Sequence, residues 1–394
     1  MKAVFVHDGR YTERDGKIYA EQEFSYASWQ PYLAHFDELK IIGRAFASPD
    51  MPEHSRCDGK GVSFALQPAL THPANFLFKR GTVARAITRE IATADAVILR
   101  GVQENAALAF AVARKLGKPV ALEGTGCMWN NTWHYDTMAG KLYAPFRYRN
   151  AQRTFKRADA VIYVTQDFLQ KRYPTDGFTA SASDVKLPPP DDSVLQARLE
   201  RIREYEPDHV WKIGIIGPVH HAQKGIDTAI KALARWRKKT GTDFRLHILG
   251  RGDPFRLQAL AKRCGLKENV IFDGTLAHEN VAAWLDALDL YLQPSRTEAL
   301  PRATLEAMSR ALPVIASNAG DLPFLIDPHF IHRRADAKSL AEKIAQLTAD
   351  PRRMAGQARQ NFDTVKTRFH PAALNAERAA FWQKFYEMVS NPES

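Results

Sequence analysis

The sequence predicts an α/β protein made of two doubly wound, Rossmann-like domains, and three observations predict it. Short apolar runs at 96–99, 119–122, 160–164, 212–216, 245–249, 270–272, 288–292 and 313–316 are rich in Val, Ile and Leu and do not alternate with polar residues. Strands covered on both faces of a parallel sheet read this way. Between them, stretches such as 105–116, 225–236 and 302–310 place apolar residues at helical spacing. Strand and helix therefore alternate, which favours an open doubly wound sheet over a closed barrel. Finally, Leu187-Pro188-Pro189-Pro190-Asp191-Asp192 and the charged stretch 198–208 form the sharpest compositional break, between two such series.

Taken in order, the opening Met1 to Val6 reads as a first strand that stops at His7-Asp8, too soon for a signal-peptide core. The first domain is expected over 1–206 and the second over 207–370. The closing segment 371–390 starts with Pro371, which suits a first helical turn, and its apolar side carries Phe381, Trp382, Phe385, Tyr386 and Met388. That helix is expected to pack back on the first domain.

At 394 residues and 45% hydrophobic, the chain can bury a core in each domain. No apolar stretch approaches the roughly 20 residues that cross a bilayer. Cys57, Cys127 and Cys264 are odd in number and far apart, which argues against a disulfide framework or structural zinc and for a reducing cytosol. A formal charge of +11 favours acidic partners. No nucleic-acid recognition motif accompanies it, so nucleic acid is not an expected partner.

The stretch from Gln293 to Met308 follows an expected strand and opens a helix, the position at which ligands meet a doubly wound sheet. Pro301 suits the first helical turn, where free N–H groups can face an anion. Glu298 and Glu306 flank this turn; by themselves they read as solvated helix-end charges. The whole segment, however, resembles the Glu-x7-Glu motif of the large retaining glycosyltransferase family of GT-B fold (family 4-like, group 1). Its flanks match too, through Asp289 to Ser295 before it and Leu312 to Ser317 after it. The resemblance implies that the two domains face a central cleft, that Glu306 binds the donor ribose, and that Glu298 lies near the donor sugar, with Leu300 and Pro301 lining the site. A carboxylate accepting two hydrogen bonds from a vicinal diol makes the ribose role chemically sound.

The stretch from Gly214 to Asp227 is read as strand, loop and helix start, and it resembles the family's loop that ends in Lys-Gly and grips the donor diphosphate. By that resemblance Gly217 opens the loop, Lys224 offers a point charge to the phosphates, and Gly225 lets the chain turn. Many relatives carry Arg after the first glycine, where this chain has Pro218. Arg302 is the expected substitute, with His220 and His221 behind it, because charge growing on the leaving group needs an offset. Adjacent histidines lacking further ligands make a poor metal site, and no Asp-x-Asp motif sits in a suitable loop, so no metal and no cofactor beyond the donor are expected. Gly250 opens a Gly-x-Gly loop of the same family, Gly250-Arg251-Gly252.

In the first domain the likeness is looser. His7-Asp8-Gly9-Arg10-Tyr11 is expected in a loop after strand one. Stretches 119–129 and 163–174 resemble bacterial members that build capsules, O-antigens or exopolysaccharides. Asp8, Gly9, Glu123 and Thr125 are candidate acceptor-pocket residues, with Thr125 near where some relatives have His; their other reading is polar ends of buried strands. Lys141, Arg147, Arg149, Arg153, Lys156 and Arg157 interleave with Leu142, Tyr143, Phe146, Tyr148 and Phe155, as suits a surface meeting anionic lipid, or a packed helix with a basic face. Residues 75–80 are expected to add an apolar point. The resemblance thus implies transfer of a sugar, with retention, from a nucleotide-diphosphate sugar to a saccharide or lipid-linked acceptor at the cytoplasmic face of a membrane. A nucleotide-sugar epimerase and a non-catalytic nucleotide-sugar-binding subunit are the rivals.

Overall fold

The computed structural model describes residues 1–20, 24–46, 55–70, 73–133, 138–206 and 208–391, and the chain forms two compact units. One comprises Met1–Ser183 with Asn375–Ser394, the other Asp184–Leu374. Unit 1 carries strands β1 (Lys2–Arg14), β2 (Lys17–Ala20), β3 (Glu38–Ala45), β4 (Ser55–Arg56), β5 (Val62–Phe64), β6 (Ala96–Arg100), β7 (Val120–Gly124), β8 (Ala160–Tyr163) and β9 (Phe178–Ser181). Its helices are α1 (Gln30–Leu33), α2 (Pro73–Ala92), α3 (Glu104–Lys115), α4 (Met128–Trp133), α5 (Met138–Arg157) and α6 (Phe168–Arg172). Neighbouring strands run parallel in the order β5-β3-β1-β6-β7-β8-β9. Ala3 to Val6 and Ala96 to Leu99 are fully buried, as the unbroken apolar runs demand.

Unit 2 contains β10 (Trp211–Ile216), β11 (Phe244–Leu249), β12 (Val270–Gly274), β13 (Leu290–Gln293), β14 (Val314–Ser317) and β15 (Ile331–His332). Around them lie α7 (Asp192–Arg203), α8 (Ile226–Thr240), α9 (Phe255–Arg263), α10 (His278–Asp286), α11 (Arg302–Ser309), α12 (Leu322–Leu325), α13 (Ala337–Thr348) and α14 (Pro351–Arg368). All pairings are parallel, in the order β12-β11-β10-β13-β14-β15. Numbered within the unit this is 3-2-1-4-5-6, the doubly wound order.

Two expectations need correction. The first unit ends at Ser183, and residues 184–206, expected in the N-terminal domain, belong to unit 2. Asp191 caps α7 by accepting the Ser193 N–H at 2.9 Å, and Leu199 and Ile202 enter the core around β10 and α8. The basic residues that suggested a linker are spent on this docking. Arg198, nearly buried, donates to the carbonyls of Leu288 and Leu285 on the stretch before β13, and Arg201 pairs with buried Asp289 at 2.6 Å.

The second correction concerns His7 to Tyr11, which are strand rather than loop. β1 runs on to Arg14 and folds back into β2 through Asp15-Gly16, both at positive φ (52° and 68°), a two-residue turn matching the strands' twist. Its register with β3 slips between Val6 and Arg10, so the glycine marks a bulge. The last helix, α15 (Pro371–Ser390), buries Phe381, Trp382 and Phe385 in the core of unit 1. Trp382 lies edge-on to Tyr32 of α1, centroids 5.0 Å apart.

Candidate functional site

Strand order in unit 2 reverses between β10 and β13, and open parallel sheets leave room for a ligand beyond the carboxyl ends of such a pair. Gly217 follows β10 and its N–H donates to Leu249 O at 2.9 Å. Gly250 presses against it: a Cβ there would lie 2.0 Å from Gly217 O. One short 3-10 turn, Ala222–Lys224, leads to Gly225 at φ +66°, where a Cβ would lie 2.0 Å from Pro294 O. Only glycine meets both conditions, the positive φ and the backbone contact. The loop after β10 is thereby held against the loop after β13. Arg296 fastens them, its N–H donating to Gln223 O at 2.7 Å and its guanidinium to both Asp227 oxygens at 2.7 and 2.9 Å.

This contact brings Lys224 to Glu298, with Nζ 2.5 Å from Oε1. The Glu298 side chain is 8% exposed, and the same oxygen accepts from Gln293 Nε2 and Ser295 Oγ at 2.8 Å each. In the chain 74 residues separate lysine and carboxylate; the parallel β10–β13 pairing and the Arg296 contacts bring them together.

Pro301 stands just before α11 at φ −85°, ψ 77°, so the helix opens at Arg302 and the proline is not in its first turn as expected. Its carbonyl accepts the N–H groups of Thr304 and Leu305 at 3.0 and 3.1 Å, and the Leu300 carbonyl accepts that of Arg302 at 3.1 Å. Leu300 is half-buried and Arg302 exposed. Glu306 is partly buried one turn on; burial raises its carboxyl pKa, while the charges of His278 and then Arg302 pull it back. The rings of His220 and His221 lie against each other with centroids 3.9 Å apart, tilted by 47°. Among the described residues no three His, Cys, Asp or Glu side chains gather as a metal would require.

In unit 1 the candidates lie on or just after β1 and β7. Glu123, 2% exposed, accepts Tyr32 OH on one oxygen and Arg100 on the other, each at 2.5 Å. The two bonds tie β7 to β6 and α1. Thr125 is half-buried near Gly101, where an added Cβ would lie 3.8 Å from Oγ1. Asp8 is buried where β1 meets β6, the reversal point of this sheet, and its Oδ1 accepts the Asn105 N–H of α3 at 3.4 Å. Burial pushes its carboxyl up to about 6, with Glu104 adding to the shift and Arg44 opposing it. Gly9 sits in the β1 bulge beside His7.

The basic stretch around α5 is partly on the surface: Leu142, Tyr143 and Phe146 are exposed, as is Phe78 of α2, whereas Phe155 is buried. The side chains of residues 75–77 lie outside the described residues. No described helix is long and apolar enough to cross a membrane.

The family model described as "Glycosyl transferases group 1" matches residues 211–350, which hold β10 to α13 and both halves of the Lys224–Glu298 pair. Residues 211–350 are a group 1 glycosyltransferase domain. The chain is 28% identical over 346 residues to Protein CapJ of Staphylococcus aureus, covering 87% of this chain and 85% of that one. It is 27% identical over 191 residues to the lipopolysaccharide core biosynthesis mannosyltransferase LpcC of Rhizobium leguminosarum bv. viciae, covering 46% and 52%. Anabaena HepE, solved in complex with UDP, superposes with a TM-score of 0.64 at 17% identity over 99% of this chain and 100% of its own. The fold is that of the GT-B glycosyltransferases, two Rossmann-like units of parallel sheet. Within the glycosyltransferase domain, sequence reasoning passed over Arg296, Asp227 and Gln293. The available signal for Gln293 was a polar residue at every second position, Tyr291, Gln293 and Ser295, along the end of a strand and just past it.

Proposed function

We propose that the protein transfers a sugar from a nucleotide-diphosphate sugar to a saccharide acceptor in the building of a bacterial surface polysaccharide, retaining the anomeric configuration and needing no metal. The observation that carries this reading is the Lys224–Glu298 contact at the β10–β13 reversal, a cation held by a buried carboxylate where the donor diphosphate of a group 1 domain is expected. As the sugar–phosphate bond breaks, negative charge grows on the leaving diphosphate; Lys224 offsets it, aided by Arg302 in place of the arginine absent at Pro218. Glu306 accepts the ribose hydroxyls, and Gly217, Gly225 and Gly250 let the backbone approach the phosphates. HepE's complex with UDP supports the choice of donor class, and LpcC supports that of product.

The acceptor in this reading is lipid-linked and is met at the cytoplasmic face of a membrane. Exposed Leu142, Tyr143 and Phe146, on the same helix as Lys141, Arg149 and Arg153, supply apolar insertion and attraction to anionic lipid, with exposed Phe78 of α2 as a further apolar point.

A screen of nucleotide sugars by thermal shift, followed by NMR of the product anomer with and without EDTA, tests the reading. One donor is expected to raise Tm, with each hundredfold excess over Kd adding about 2.7 kcal/mol. The product is expected to retain the donor's configuration in EDTA. Donor turnover without acceptor that yields an epimerised sugar, or no binding of any donor by folded protein, overturns it. Binding to phosphatidylglycerol vesicles that rises with salt would sink the membrane part.

A further inference from the structure

We propose that Gln293 is a positioning residue: its side-chain amide fixes the Glu298 carboxylate and, through it, the ammonium of Lys224. The inference rests on the donor-site reading above. Tyr291 and Gln293 alternate along β13, so their side chains share one face while Leu290 and Leu292 point to the other, and Ser295, two residues past the strand, meets Gln293 through its hydroxyl. All three polar side chains are essentially buried. An apolar residue at 293 would satisfy a core; a buried amide is tolerated only with its hydrogen bonds made.

They are made, and the direction of each is fixed. Ile216 N–H, at the end of β10, donates to Tyr291 OH at 3.2 Å. The tyrosine's own proton then goes to Gln293 Oε1 at 2.8 Å. That sets the amide, whose two N–H bonds point to Ser295 Oγ and Glu298 Oε1, each at 2.8 Å. Ser295 passes its proton to the same carboxylate oxygen, and Lys224 Nζ reaches it from the far side of the β10–β13 junction. Aligned donors thus run from a main-chain amide of the first strand to the Glu298 carboxylate, which the lysine of that strand's following loop meets as a further donor. The charged or titratable groups facing it are Lys224, Glu298 and Tyr291, with Glu306 acting on Tyr291 through space.

Two variants test this. In Gln293→Glu, a protonated carboxyl keeps the acceptor for Tyr291 and the donor to Glu298, losing only the donation to Ser295. Once ionised it donates nothing and repels Glu298. We expect kcat near wild type at acid pH and a fall of about tenfold or more as pH rises through the new carboxyl's raised pKa, with donor KM changing less than about threefold. Gln293→Met is expected to be slow at every pH. Independently of turnover, Lys224 in donor-free protein is labelled by an amine reagent and mapped by mass spectrometry. Its labelling is expected to be several-fold faster in Gln293→Met than in wild type. A wild-type pH profile in Gln293→Glu, or wild-type Lys224 labelling in folded Gln293→Met, overturns the proposal. If the wild type turns over no nucleotide sugar, the donor reading falls, and the labelling alone decides the role of Gln293.

Discussion

Glu306 gives up hydration on folding, and its carboxyl pKa rises above 4.5 for that reason. A carboxyl raised in the folded state adds stability that is complete below the unfolded pKa and is lost as pH rises through the folded one. Glu306→Gln is therefore expected to raise Tm at about pH 8, to change it little at about pH 4, and to remove donor-induced thermal shift at both. Calorimetry with and without donor checks this. Asp8 follows the same sign with a defined window, 3.8 to about 6. Asp8→Asn is expected to stabilise unit 1 above that window and not below it, read from thermal melts across pH. Residue chemistry was only partly legible beforehand. Glu298 and Glu306 stood out through a motif, whereas nothing in a linear sequence reveals that Tyr32 and Arg100 bond the two oxygens of Glu123.

At the scale of elements, patterns of burial were easier to read than their ends. Strand 96–100 was evident because nothing polar interrupts Ala96 to Leu99, and 244–249 because Phe244, Leu246, Ile248 and Leu249 carry it through Arg245 and His247. The continuation of β1 was missed although Asp15-Gly16 is a strong hairpin signal, since His7 and Asp8 looked like a strand's polar end and their burial comes from β6 and α3. Helix α15 was legible through its aromatic side, and it sets a prediction. Trp382 is fully buried against Tyr32, Phe381 and Phe385. Trp382→Ala is expected to destabilise unit 1 by about 3–5 kcal/mol in urea unfolding. Trp382→Phe should be much milder, because it keeps a ring and removes a buried N–H that has no partner among the described residues.

For the whole molecule, composition misplaced the unit boundary: it counts Arg198 and Arg201 as solvated charge, whereas both are spent on carbonyls and Asp289. An isolated fragment 184–374 is accordingly expected to unfold in one cooperative transition, and a fragment 207–374, stripped of Leu199 and Ile202, to melt lower or non-cooperatively by circular dichroism. The return of the chain at Asn375 has a further consequence, for synthesis. Unit 2 is complete in sequence before the last helix leaves the ribosome, but the core beneath Trp29 and Tyr32 waits for Phe381, Trp382 and Phe385. The half that begins first thus matures last, and until then its aromatic floor is open to chaperones and to other nascent chains.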